Sequence, residues 1–309
     1  MSGKRRERRG GLCSVVIAAR NEGDLLPATV DSVLYDSAYP SVEVVVVDDG
    51  SDDGSPGALP NDPRVRLVRL GGIGLSMARN AGAAHARGEY VVFLDAHCCV
   101  SANWLDVLID ALRPPDVALA GPSVTPLDAP GRRACGMTWV NRRLETAWFE
   151  PPGGDRAYEV PFVPGGCQAY RARTFELVGR FDEGMTLWGY EDIEICLRSW
   201  LLGYRVVGAP AATVAHLFRE QRDFEVPDYG VLLNFLRLVH LHLAPWRVEA
   251  AIRAIGDYPS LASALRDVAS GDLLNRRARL EAARVRDDDW FFEVFMPRLW
   301  APGALAGAR

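Results

Sequence analysis

The stretch "EYVVFLDAHCCV", residues 89–100, decides how the chain is read. Five apolar positions run into Asp95, with His97, Cys98 and Cys99 close behind. A short run rich in β-branched and aromatic residues predicts a strand buried on both faces. Such a strand has no packing reason to finish in a carboxylate and an imidazole. Either the two groups help to cap a following helix near Asn103, or they hold something. On a strand, residues two apart share a face, so Asp95 and His97 would aim an oxygen and a nitrogen at one point. That mixed pair suits Mn²⁺ better than Ca²⁺.

Outward from this stretch, strands and helices alternate. "LCSVVIAA" and "VEVVVVDDGSDDG" predict two more buried strands and "RVRLVRL" another, with helices in "RNEGDLLPATVDSVL" and "GGIGLSMARNAGAAHARG". That order predicts a mainly parallel α/β sheet with right-handed crossovers. Ligands of such sheets lie beyond the carboxyl ends of the strands, so "DDGSDDG" and "DAH" should face one crevice. Further on, "NWLDVLIDAL" predicts a helix, and "VALAGPSVTPL" and "GGCQAYRA" predict strands. Ile193, Leu197, Trp200 and Leu201 recur at helical spacing, and Gly203 ends that helix. From residue 229 the chain reads as helices alone.

A second histidine strengthens the metal reading. His216, in "TVAHLFRE", also ends a strand-like run, whereas His85, His240 and His242 fall inside helical patterns. Two histidines and one carboxylate would leave coordination positions open for a diphosphate. Glu191 and Asp192 begin a helix after "LWGY". Acids in a first turn complement the helix dipole, worth about 0.3–1 kcal/mol, yet the aromatic–glycine approach shapes a pocket wall. Asp192 there can serve as a general base, kept ionised by the dipole. "GGIGLSMARNAG" lacks the GxGxxG spacing and the ribose-binding acid of a dinucleotide fold, and no P-loop is present.

Composition narrows the classes. The chain has 309 residues, 49% of them hydrophobic, enough for one large domain or two modest ones. A net charge of −5 argues against nucleic acid as partner. No run of eighteen apolar residues predicts a membrane span, and no apolar leader is seen near the start, so a cytoplasmic location is expected. "KRRERRG" at 4–10 reads as a solvated tail. The six cysteines show no CxxC spacing and are expected to be reduced and buried.

Taken together, these pieces resemble the GT-A nucleotide-sugar glycosyltransferases of glycosyltransferase family 2. The quoted strand–helix units carry the likeness, with "FDEGMTLWGYEDIEICLRSWLLGYRV". The aspartate-x-histidine motif, "GGCQAYRARTFELVGRFDEGMTLWGYEDIEICLRSW" and "HLFR" resemble the catalytic domain of the polypeptide N-acetylgalactosaminyltransferases in particular. The resemblance covers about residues 12–225. It implies a Rossmann-like GT-A catalytic domain over 12–225, which leaves a disordered basic tail over 1–11, read from its charge, and a helical C-terminal extension over 226–309, read from its pattern. The extension would form an acceptor platform or a homodimer surface where those relatives carry a lectin domain.

Residue by residue, the resemblance implies that Asp95, His97 and His216 hold Mn²⁺ (or Mg²⁺) against the diphosphate of a UDP-sugar. It places Asp49 on the uracil, with backbone of Ala18 and Ala19 beneath it. Arg79 and Arg219 would lie beside the donor and its diphosphate, Gly165 and Gly166 along the sugar, and Trp188 in a flexible wall. Glu191 would contact the donor sugar. The acceptor is expected to be a peptide or small molecule. Glu191–Asp192 stands where the polypeptide enzymes, which are retaining, carry Glu-Asn, and "PGGC" where they carry Ala-Gly-Gly. The first departure implies an inverting enzyme with Asp192 as base. A retaining O-GalNAc-type peptide transferase and a non-catalytic sugar-nucleotide-binding regulator are the alternatives.

Overall fold

A computed structural model describes residues 11–219 and 228–301. The expected basic tail, apart from Gly11, lies outside the described residues. Among those described, nine strands form one sheet, with three strands of the first half as its parallel core. These are β1 (Cys13–Ala19), β2 (Val42–Asp49) and β4 (Tyr90–Leu94); β3 (Val65–Leu70) adds to the edge beyond β2. Both β1 and β2 are buried almost throughout, which is why they read as unbroken apolar runs rather than alternating ones. Helices α1 (Leu25–Asp31) and α2 (Leu75–His85) make the crossovers.

The second half widens the sheet. The chain runs through β5 (Cys98–Val100), α3 (Trp104–Ala111), β6 (Val117–Pro126), β7 (Met137–Trp139), β8 (Thr146–Trp148) and β9 (Tyr158–Glu159). It continues through β10 (Cys167–Arg171), α4 (Ala172–Leu177), α5 (Glu191–Leu201) and β11 (Arg205–His216). The strand order is β3-β2-β1-β4-β10-β6-β11-β5. β11 runs parallel to β6, whereas β10 lies antiparallel between β4 and β6, and β5 and β9 pair antiparallel with β11. β7 and β8 form a separate hairpin that no periodicity announced.

One expectation is corrected here. Asp95 and His97 are not on a strand: β4 ends at Leu94 and β5 starts at Cys98, so residues 95–97 form the turn between them. Their convergence comes from this turn, not from strand alternation. Cys99 is exposed, while the other five cysteines are buried and all six are free thiols.

Apolar residues fill both faces of the sheet. α1 and α3 pack on one face, and α2, α4 and α5 on the other. The second face also receives α6 (Asp228–His242), α7 (Pro245–Ile255), α8 (Leu261–Ser270), α9 (Leu273–Ala283) and α10 (Asp288–Phe295). Buried ion pairs cross that junction. On α5, Glu194 meets Arg198 at 2.6 Å and, from α6, His242 at 2.8 Å, while Arg237 of α6 meets Asp182 at 2.8 Å. The C-terminal helices are therefore continuous with the core that positions α5.

Candidate active site

Asp95, His97 and His216 offer three ligand atoms that all lie within 4.8 Å of one another. Asp95 Oδ2 and His216 Nε2 are 3.3 Å apart, close to the spacing of about 3 Å between neighbouring ligands of an octahedral ion with bonds near 2.1 Å. The His97 Nδ1 faces the buried Glu22 carboxylate at 3.2 Å, which leaves Nε2 for an ion. The His216 Nδ1 is buried with no hydrogen-bond partner among the described residues. One carboxylate with two imidazoles is a donor set that accepts Mn²⁺. Burial opposes the charge of Asp95, but His216, Arg79 and His97 outweigh it and hold the carboxyl well below the usual range. Burial alone would lower the His97 pKa; the Glu22 and Asp95 carboxylates raise it above its ordinary value.

Two cavities meet at this triad. The smaller, about 320 Å³, is lined by Ala18, Ala19, Arg20 and Asp49 beside Leu187 and Trp188. The larger, about 710 Å³, is lined by Gly165, Gly166, Asp192, Trp188, Trp148 and Phe218. Asp49 lies where the sequence placed it, at the end of β2, but its carboxylate is largely engaged. It accepts the backbone N–H groups of Gly72 (3.1 Å), Ile73 (2.7 Å) and Gly74 (2.9 Å), tying down the glycine loop before α2.

Gly165 and Gly166 separate Asp192 from the triad. A Cβ on Gly165 would sit 3.1 Å from the Asp192 carboxylate, and one on Gly166 would sit 3.1 Å from the His216 ring. Glycine is what lets both functional side chains touch this backbone. Asp192 is half-buried and accepts N–H bonds from Gly165 at 2.7 Å and Ile193 at 2.8 Å. Burial, and then the neighbouring Glu191 charge, push its pKa up to about 7 despite those donors and Arg79. The simple expectation that the helix dipole keeps it ionised gives way to desolvation.

Arg79 and Glu191 are turned inward. Arg79, 2% exposed, donates to Glu191 at 3.0 Å, to Asp95 at 2.9 Å and to the Gly165 carbonyl at 2.8 Å. The second Glu191 oxygen accepts the Gly189 N–H at 2.9 Å. Trp188 stands in a turn whose Leu187, Gly189 and Tyr190 all have left-handed backbone, with φ of 50°, 102° and 69°. For the two residues with a Cβ this costs on the order of 1 kcal/mol each.

Sequence comparison assigns this architecture. Residues 14–179 match glycosyl transferase family 2, and residues 154–221 match the N-terminal domain of galactosyltransferase. The chain belongs to glycosyl transferase family 2. It is 29% identical over 320 residues to polypeptide N-acetylgalactosaminyltransferase 11 of Xenopus tropicalis, covering 94% of this chain and 51% of that one. The chain thus spans about half the length of the curated relatives it matches. Among solved structures, GalNAc-T7 with UDP, GalNAc and Mn²⁺ superposes with a TM-score of 0.69 at 22% identity, over 93% of this chain and 57% of that one. The mannosyltransferase PcManGT of Pyrobaculum calidifontis, with GDP-Man and Mn²⁺, gives a TM-score of 0.55 at 21% identity, over 89% and 86%. Both likenesses concern the fold.

For this family 2 chain, every candidate residue named from sequence lines one of the two cavities. Sequence reasoning missed Glu22, which sits behind His97 and also pairs with Arg219. Its signal was available: an acid just past the end of the first strand, on the same edge as "DAH". It missed Trp148 and Phe218 as well, whose rings meet edge to face at 5.9 Å across the cleft wall. No helix among the described residues is long and apolar enough to cross a membrane.

Proposed function

We propose that the chain transfers a sugar of GlcNAc, GalNAc or glucose type from a UDP-sugar to a hydroxyl or thiol of a peptide or small-molecule acceptor. Transfer proceeds with inversion, and Asp192 is the general base. The observation that carries this is Asp192 itself, raised to about 7 and set across the Gly165–Gly166 backbone from the triad. A base is most effective when its pKa lies near the working pH. Family membership supports sugar transfer, and the UDP and Mn²⁺ of the GalNAc-T7 structure support the nucleotide and the metal.

The nucleotide lies in the smaller cavity over Ala18 and Ala19, and the sugar and acceptor share the larger. The acceptor hydroxyl gives its proton to Asp192 as its oxygen bonds to the anomeric carbon from the face opposite the diphosphate. The bond from that carbon to the β-phosphate oxygen breaks, and UDP leaves with the electron pair. Asp95, His97 and His216 would hold Mn²⁺ or Mg²⁺, which when bound would supply positive charge to the diphosphate. Arg219, anchored by Glu22, faces the same cleft and adds a second cation. Arg79 acts from behind, fixing Asp95 and Glu191.

Proton NMR of the product tests the stereochemistry: a UDP-α-sugar should give a β-linked product. An α-linked product refutes inversion and supports the retaining, O-GalNAc-type reading that the relatives' names suggest. Asp192→Asn should lower transfer by about 10²–10⁴-fold while Mn²⁺-dependent UDP binding persists. Transfer at the wild-type rate would remove Asp192 from the role of base.

A further inference from the structure

We propose that Asn234, on α6, is a positioning residue that holds the Trp188 turn in its cleft-lining conformation, so that the C-terminal helices complete the active site. This rests on the function proposed above for the cleft. Asn234 is 1% exposed, on a helix whose buried neighbours are the apolar Leu232, Phe235, Leu236 and Leu238 and the ion-paired Arg237. A leucine would fill such a site, and burying an amide is costly unless its polar atoms find partners. All of this amide's bonds go to one turn. Its Oδ1 accepts the Thr186 N–H at 2.8 Å, and its Nδ2 donates to the carbonyls of Thr186 (2.8 Å), Trp188 (3.2 Å) and Gly189 (2.9 Å). A backbone N–H on one side and three carbonyls on the other fix which atom is oxygen and which nitrogen.

The turn so held is unfavourable on its own, with left-handed backbone at Leu187, Gly189 and Tyr190. Strain of this kind persists only where surrounding contacts over-determine it. It also joins the two helices that deliver functional side chains. The Leu187 carbonyl accepts the Leu75 N–H at 2.9 Å, at the start of the helix carrying Arg79. The Tyr190 carbonyl accepts the Glu194 N–H at 2.8 Å, in the first turn of the helix carrying Glu191 and Asp192. Trp188 between them lines both cavities. A single amide from outside the sheet thereby sets the wall that donor and acceptor share. The triad stands on other elements, the β4–β5 turn and the end of β11, and none of the Asn234 bonds reaches it.

The test uses the full chain with Asn234→Ala and the isosteric Asn234→Asp, which keeps an oxygen for the Thr186 N–H but loses the donations to three carbonyls. Hydrogen exchange read by mass spectrometry should show amides of residues 186–193 exchanging about tenfold faster or more, with β1, β2 and β4 unchanged. Mn²⁺ affinity by calorimetry should stay at the wild-type value. In transfer assays the KM for the UDP-sugar should rise about fivefold or more. Unchanged exchange at 186–193 in a folded variant overturns the proposal, as does acceleration spread evenly through the sheet. If the wild-type chain transfers no sugar from any UDP-sugar tried, the proposed function fails, and the exchange result alone decides the role of Asn234.

Discussion

Replacing Arg79 with methionine separates two roles for this residue, donor contact and internal counter-charge. The geometry favours the second. The guanidinium side chain is 3% exposed and bridges Asp95, whose side chain is 26% exposed, and Glu191, at 6%. Removing one member of a buried charge set leaves the rest unpaired and costs about 3–5 kcal/mol. Solvent at Asp95 screens part of that, so the lower end, about 3 kcal/mol, is expected. For a chain of this size that is a fall in melting temperature of roughly 5 °C. Urea unfolding followed by circular dichroism measures it. Mn²⁺ should recover part of the loss, because a dication at Asp95 replaces charge that Arg79 supplied. A loss below about 1 kcal/mol, with Mn²⁺-dependent UDP binding abolished, would refute the counter-charge argument and restore the donor-contact role that the resemblance implied.

Two further predictions concern other charged groups. Glu22→Gln should weaken Mn²⁺ binding about 10–100-fold by calorimetry, since it removes the carboxylate behind His97; His97→Ala and His216→Ala should weaken it further with an intact circular dichroism spectrum, and unchanged binding in both would make the histidines structural. Burial raises the Glu194 pKa, but Arg198 and His242 outweigh it and hold this buried carboxyl well below the usual range. A depressed folded pKa gives stability that is present above the unfolded value, about 4.3, and is lost as pH falls below it. Glu194→Gln should therefore flatten the acid side of a urea-midpoint profile between pH 3 and 5, and an unchanged slope there would count against it.

The sheet was legible because its inner strands are buried on both faces and so appear as unbroken β-branched runs, as in "VEVVVV". The triad was legible through residue type and position at strand ends, although the local geometry inferred for it was not the one that forms. Asp95 and His97 converge through a turn, and a turn between two strands has no periodicity to read. The roles of Arg79 and Glu191 were harder still. They depend on a hydrogen bond across 112 positions of chain, which only folding brings about. Glu22 and Asn234 escaped for the same reason: each looks like an ordinary polar residue until its partners arrive, 75 and 48 positions away.

The two neighbouring acids show how one helix start can hold different chemistries. Glu191 is buried, with one oxygen on the Arg79 guanidinium and the other on the Gly189 N–H, so its negative charge is already met by a cation. Asp192 has no cation bonded to it among the described residues; its oxygens take two backbone N–H groups, which leaves lone pairs that could accept the proton of the proposed acceptor. Glu191 raises its neighbour's pKa, and Arg79 limits that rise while also gripping Asp95. Arg79 therefore acts on both the Asp192 carboxyl and the Asp95–His97–His216 triad. A change at Arg79 should disturb both at once, whereas a change at Asn234 should move the cleft wall and leave the triad as it is.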